Sequence, residues 1–172
     1  MTDEMNGRIE PRDKPIKRLV TRMNLFFLGM GFQTAYRVDP LVTAEIDTWP
    51  ETFTFTLSVV DGPRMVVQKR NRGVQYLGEK ETFFADLEVT FKHIEYAFMA
   101  VTGKMSVQEA TCHNRQSVKG DLSVMVSAAR VMNRIQALLL PKWNSPLKNQ
   151  PFWQVNRVRA LLYFNAASGT IK

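Results

Sequence analysis

The feature that most constrains this chain is a change of hydrophobic period. Between Phe53 and Val59, the apolar residues Phe53, Phe55, Leu57 and Val59 alternate with Thr54, Thr56 and Ser58. A period of two belongs to a strand with one buried face. On either side the period is three and four. Ile16, Leu19, Val20, Met23, Phe26, Phe27 and Met30 repeat at helical spacing, as do Val124, Met125, Ala128, Val131, Met132, Ile135 and Leu139. Strands segregated between helices indicate an α+β domain.

Turn chemistry divides the middle of the chain. Asp61-Gly62-Pro63 and Asn71-Arg72-Gly73 separate the first strand from Met65–Val67 and from Val74–Leu77, so 53–77 reads as an antiparallel meander. Leu87, Val89 and Phe91 alternate with Asp86, Glu88 and Thr90 as a fourth strand. A helix carrying Ile94, Phe98 and Val101 follows and stops at Gly103. Ser106 and Glu109 form a capping box, Gln116–Lys119 suits a fifth strand, and Asp121 caps a long helix that ends at Pro141. The expected fold is a five-stranded, mostly antiparallel sheet covered by helices on one face, with an N-terminal helix and a C-terminal helical extension.

Four segments are expected. Residues 1–15 are a polar, disordered leader, a poor match to a signal peptide. Residues 16–49 are helical, with a basic amphipathic helix ending at Gly29 and Gly31 and a shorter one from Asp39-Pro40 to Ile46. The first helix either docks its stripe on the core or lies on a membrane surface. Residues 50–141 form the main domain. Residues 142–172 are an extension marked by Trp143, Pro146, Pro151 and Trp153, in which 152–164 can form a last helix.

Little in the sequence supports catalysis. There are two histidines and one cysteine, Cys112, too few for a zinc cluster or a disulfide. His93 and Glu95 spell H-x-E, but no P-C-x-x-C follows. No P-loop, dinucleotide fingerprint or G-x-S-x-G is present. Asp86 and Glu88 share a strand face, the ordinary place for solvated carboxylates. The net charge of +7 favours anionic partners. Lys69, Arg70 and Arg72 near Tyr76 are the one basic cluster suited to nucleic acid, yet Phe53 and Phe55 are expected to face inward, which leaves no stacking platform. The expectation is a cytoplasmic protein that binds no nucleic acid, needs no cofactor or metal, and is not an enzyme.

The stretch from Ala85 to Pro141 resembles the sterol-carrier-protein type-two family of lipid carriers. The resemblance rests on Ala85-Asp86-Leu87-Glu88-Val89-Thr90, on Thr102-Gly103-Lys104-Met105-Ser106, on Ala110, and on Val118-Lys119-Gly120-Asp121 opening a long helix. The meander from Phe53 to Gly78 stands where that family has its first three strands. The likeness spans about residues 50–141. It implies an internal apolar cavity and non-catalytic binding, carriage or presentation of a fatty acid, phospholipid, sterol or isoprenoid. The longer N-terminal helical segment and the tail depart from the family's small members. The tail is a candidate for closing the cavity mouth, for a homodimer face or for membrane contact.

Such a site would be lined by Phe55, Leu57, Phe91, Ile94, Phe98, Met105, Met125, Ala128, Met132 and Ile135. Arg18, Arg22, Arg157 and Arg159 are the candidate contacts to an anionic membrane. The alternative is a protein-interaction or accessory scaffold module with a closed core, for example in lipid or quinone biosynthesis, using the Trp143 and Trp153 segment as its partner face.

Overall fold

The computed structural model describes residues 14–71, 73–79, 84–139, 156–161 and 163–164. Residues 1–13 of the expected leader, Arg72, Trp143 and Trp153 lie outside them, whereas Pro15, expected to be disordered, opens the first helix. The element order is α1 (Pro15–Val38), α2 (Pro40–Asp47), β1 (Phe53–Val59), β2 (Arg64–Arg70), β3 (Gly73–Gly78), β4 (Leu87–Phe91), α3 (Ile94–Val101), α4 (Val107–Cys112), β5 (Gln116–Gly120) and α5 (Leu122–Leu139). Residues 156–161 are helical as well. No described helix is long and apolar enough to cross a membrane.

The five strands form one sheet in the order β3-β2-β1-β4-β5. Every pairing is antiparallel except β1 with β4, which is parallel. A parallel pair needs a long crossover, and here the second hairpin strand and β3 supply it. In register, Phe55 stands between Val67 and Leu87, and Leu57 between Met65 and Val89. These rows, with Phe91 and Val118, make one apolar face. The opposite face carries Thr54, Thr56, Ser58, Gln68, Glu88 and Thr90, joined by bonds such as Ser58 Oγ to Thr90 Oγ1 at 2.9 Å.

Three of the groups of residues that carry the family resemblance have a structural task. Asp86 accepts a hydrogen bond from Thr54 N at 2.7 Å while its own N–H donates to Thr54 O, which stitches β4 onto β1. Thr102 caps α3 and Gly103 has φ +73°, a left-handed stop. Gly120 has φ +123°, and a Cβ there would lie 2.3 Å from Asp86 O, so β5 can close on β4 only with glycine. Asp121 accepts from Ser123 N at 2.7 Å and opens α5.

The expected stop of the first helix at Gly29 and Gly31 is overturned. α1 runs unbroken to Val38, and Asp39 then caps α2 by accepting from Leu41 N at 3.0 Å. The glycines mark close approach instead. A Cβ on Gly29 would fall 2.4 Å from the Tyr76 ring, and one on Gly31 would fall 2.4 Å from Ile135 Cγ2. Each glycine costs the helix about 1 kcal/mol against alanine. That cost is offset by letting the α1 backbone lie directly on β3 and against α5.

The α1 stripe is docked only in part: Met30 is buried and Val20 and Phe27 are half-buried, but its other four members are exposed. Ile16, Leu19, Met23 and Phe26 are 77, 58, 50 and 40% exposed. The buried face is Thr21, Leu25, Leu28, Phe32 and Ala35, another run at spacings of three and four. Phe32 joins Phe55 and Trp49 with ring centroids 5.8 and 6.3 Å away, so α1 and the loop before β1 share the sheet's core.

Adding a methyl at Gly31 is expected to destabilise the protein by about 1–3 kcal/mol despite the better helix propensity of alanine. Urea unfolding of Gly31→Ala, Ile135→Ala and the pair measures this. The double variant is expected to lose less than the sum, because Ile135→Ala vacates the space the new methyl needs.

Candidate functional site

The candidate site is the apolar layer between sheet and helices. α1 lies directly on β2 and β3 because its glycines permit it. α5 takes its nearest backbone neighbours from α2 and α1, and no strand approaches it as closely. The two helices are thus seated differently: α1 lies directly on strands, and α5 packs chiefly on other helices. Long flexible side chains contribute to the same buried cluster as Phe55 and Phe91: Met125 and Met132 from α5 and Met105 from the turn after α3. Methionine adapts to irregular space better than any branched residue.

The ten expected wall residues fall into two groups. Phe55, Leu57, Phe91, Met105, Met125, Ala128, Met132 and Ile135 are buried in one continuous cluster, and half-buried Ile94 packs against it. Phe98 stands at the edge of α3, half-buried, with the Lys17 and Lys104 ammoniums 5.6 and 5.9 Å from its ring centroid. Sequence reasoning missed Leu25, Leu28, Phe32 and Ala35, which belong to the same cluster. Their helical spacing was legible, but the stronger stripe beside it drew the assignment.

Two surface grooves flank α2. One, of about 490 Å³, runs between α2 and α5 along Leu41, Val42, Ala44, Glu45, Arg130, Val131 and Arg134. The other, of about 400 Å³, is bounded by Arg37, Val38, Pro40 and Asp47. None of the ten wall residues lines either groove. The first is crossed by ion pairs: Arg130 grips Glu45 through two bonds of 2.7 and 2.9 Å, and Arg134 meets Asp39 at 2.8 Å. The Arg130 guanidinium, helped by the Ser127 hydroxyl, holds the Glu45 carboxyl below its ordinary range against the opposing effect of burial.

The basic residues are mostly engaged. Arg18 donates to Asp61 O in the turn between β1 and β2, and Arg22 pairs with Glu79 at 2.7 Å. Arg159 donates to Leu138 O at 2.7 Å and Tyr163 to Leu139 O at 2.7 Å, so the helical residues after 155 cap the end of α5. Arg157 is exposed. Lys69 is not part of a basic surface loop. It is 4% exposed, faces the core, and donates to the carbonyls of Ile46, Asp47 and Trp49 at 2.9, 3.2 and 2.7 Å. Its ammonium thus closes the C-terminal end of α2. Cys112 is exposed, contrary to the usual habit of a lone cysteine.

His93 and Glu95 are also accounted for. His93 Nδ1 accepts from Glu95 N at 3.3 Å and caps α3. The Glu95 carboxylate receives Lys14 and Lys17, the latter at 2.5 Å. These two ammoniums, Lys14 first, hold its pKa down to about 2. No group of three or more potential metal ligands converges among the described residues.

No family model and no curated protein matches the sequence. Among solved structures, the chain is similar to a protein titled UbiJ-SCP2 ubiquinone synthesis protein, with 17% identity, a TM-score of 0.45, and coverage of 70% of this chain and 99% of that one. It is also similar to sterol carrier protein 2 from Yarrowia lipolytica in its apo form, with 16% identity, a TM-score of 0.44, and coverage of 65 and 88%. Sterol carrier protein 2 like 2 from Aedes aegypti gives 14% identity, a TM-score of 0.35, and coverage of 57 and 95%.

Two outcomes follow from the charges. Glu95 has a folded-state pKa below its ordinary value near 4.5. The α1–α3 tie is therefore complete above about 4.5 and is lost as pH falls toward 2. An NMR titration of the side-chain carboxyl carbons is expected to show Glu95 titrating below the other glutamates. Lys69→Met is expected to cost on the order of 3 kcal/mol in chemical denaturation, because three buried carbonyls lose their cationic partner.

Proposed function

We propose that this chain is a non-catalytic binder of a lipid-like apolar ligand, a fatty acid, phospholipid, sterol or isoprenoid, held in the apolar cluster beneath α5. The observation that supports this reading is the unequal seating of the two helices, α1 directly on β2 and β3 and α5 chiefly on α1 and α2. α1 is held close by the contacts at Gly29 and Gly31, and the buried cluster includes the adaptable Met105, Met125 and Met132 with Phe55 and Phe91. A ligand would enter by displacing adaptable methionine side chains rather than by separating rigid backbone. Each methylene moved from water into that layer contributes about 0.8 kcal/mol. A dozen contribute roughly 10 kcal/mol before ordering costs, which remove a large part. Affinity of this kind needs volume and apolar walls, and no reacting group.

The ligand is collected or delivered at an anionic membrane in the cytoplasm. The exposed α1 stripe of Ile16, Leu19, Met23 and Phe26 supports this reading, as does the net charge of +7. A cationic side chain near an anionic surface contributes about 1 kcal/mol. Arg18, Arg22, Arg157 and Arg159 are the arginines for that role.

Native mass spectrometry after gentle purification is expected to reveal a co-purifying lipid mass, and the delipidated protein is expected to take up a fluorescent fatty acid. Ala128→Phe, which adds bulk to that cluster, is expected to weaken that uptake about tenfold or more with its far-ultraviolet circular dichroism unchanged. A protein that carries no lipid and takes up no probe belongs instead to the scaffold class.

A further inference from the structure

The first ten residues of α1 are built inside out. An ordinary surface helix turns its oil to the core and its charges to water. Here Ile16, Leu19 and Met23 face solvent, while Lys14, Lys17, Arg18 and Arg22 all reach back to the body of the protein. Their partners lie on three separate elements: Glu95 at the start of α3, Asp61 O in the β1–β2 turn, and Glu79 just after β3. Only Thr21 is buried in this part of the helix. From Leu25 onward the attachment changes to apolar burial through Leu25, Leu28, Phe32 and Ala35, locked by the close contacts of Gly29 and Gly31.

We propose that residues 15–24 form an electrostatic latch that an anionic bilayer opens, lifting the first turns of α1 off α3 while residues 25–38 stay seated. This rests on the membrane reading above. The charge complementarity is specific. Ion pairs at exposed positions are weak and screened. A surface of anionic headgroups offers replacement partners to all four cations together, and the same movement gives the outward stripe an apolar phase to enter. A zwitterionic surface offers the second without the first, so it leaves the latch shut. Opening at this point uncovers the edge of α3 where Ile94 and half-buried Phe98 stand, with Lys17 withdrawn from above the Phe98 ring.

The test uses the full chain with Cys112→Ser, Pro15→Cys and Glu51→Cys, nitroxide-labelled at both cysteines. Pro15 and Glu51 are exposed, and they sit toward opposite ends of β1. Dipolar electron paramagnetic resonance is recorded in buffer, with phosphatidylcholine vesicles, and with vesicles containing about one third phosphatidylserine. The expected result is a changed and broadened distance distribution with the anionic vesicles alone. Co-sedimentation with anionic vesicles while the distances stay as in buffer overturns the latch and leaves membrane docking standing. Absence of co-sedimentation overturns both. A second comparison removes the dependence on labelling: Glu95→Gln is expected to bind anionic vesicles about threefold or more tighter than Glu51→Gln, which makes the same change in charge. Equal affinities of these two variants would falsify the latch.

Discussion

The closeness of α1 to the sheet governs the rest of the structure. Gly29 brings the helix axis down onto Tyr76, and Gly31 admits Ile135 from α5. With α1 fixed by these two contacts, α5 can rest on α1 and α2 without being laid on the strands. Methionines and phenylalanines from α5, the α3–α4 turn and the sheet join the same buried cluster. The close seating of α1 thus follows from two missing side chains, and the proposed binding region is the apolar cluster beneath α5.

Polar groups hold the margins of this layer. Lys69 projects into the core beside Phe53 and ends among three carbonyls at the close of α2, so a buried charge is tolerated because all its donors are used. Trp49 donates to Ser127, which donates to Glu45, which in turn accepts from Arg130, joining α2 to α5 through one chain of bonds. Around α3 the margin is held by Lys14 and Lys17 on Glu95. The interior is mostly apolar, and its margins are closed by ion pairs and hydrogen bonds, at α2–α5 through Glu45 and at α1–α3 through Glu95.

The residues behind the family resemblance turn out to serve folding more than binding. Asp86 fixes the parallel β1–β4 junction, Gly103 stops α3, and Gly120 admits the β4 backbone. Such positions are strongly restricted by backbone geometry, so they are legible as a string of letters. A wall residue has no comparable restriction: Met125, Met132 and Ile135 need only be apolar and of suitable length. The assignment of wall residues from sequence therefore yields a buried set without its outline, and Phe98 ends at the rim under two lysines.

The order of elements, the period-two strands, the caps at Asp39, Ser106 and Asp121, and the stop at Gly103 were determined by local sequence. They depend on dihedral preferences and on hydrogen bonds between near neighbours. Which of two apolar stripes on α1 turns inward was decided by the tertiary structure alone. Both stripes have helical spacing; only the approach of Tyr76 and Ile135 to Gly29 and Gly31 selects the face that holds Leu25, Leu28 and Phe32. The same holds for Lys69, whose burial depends on three carbonyls some twenty residues earlier in the chain. Periodicity encodes that a face is apolar, but what that face meets is a property of contacts distant in sequence.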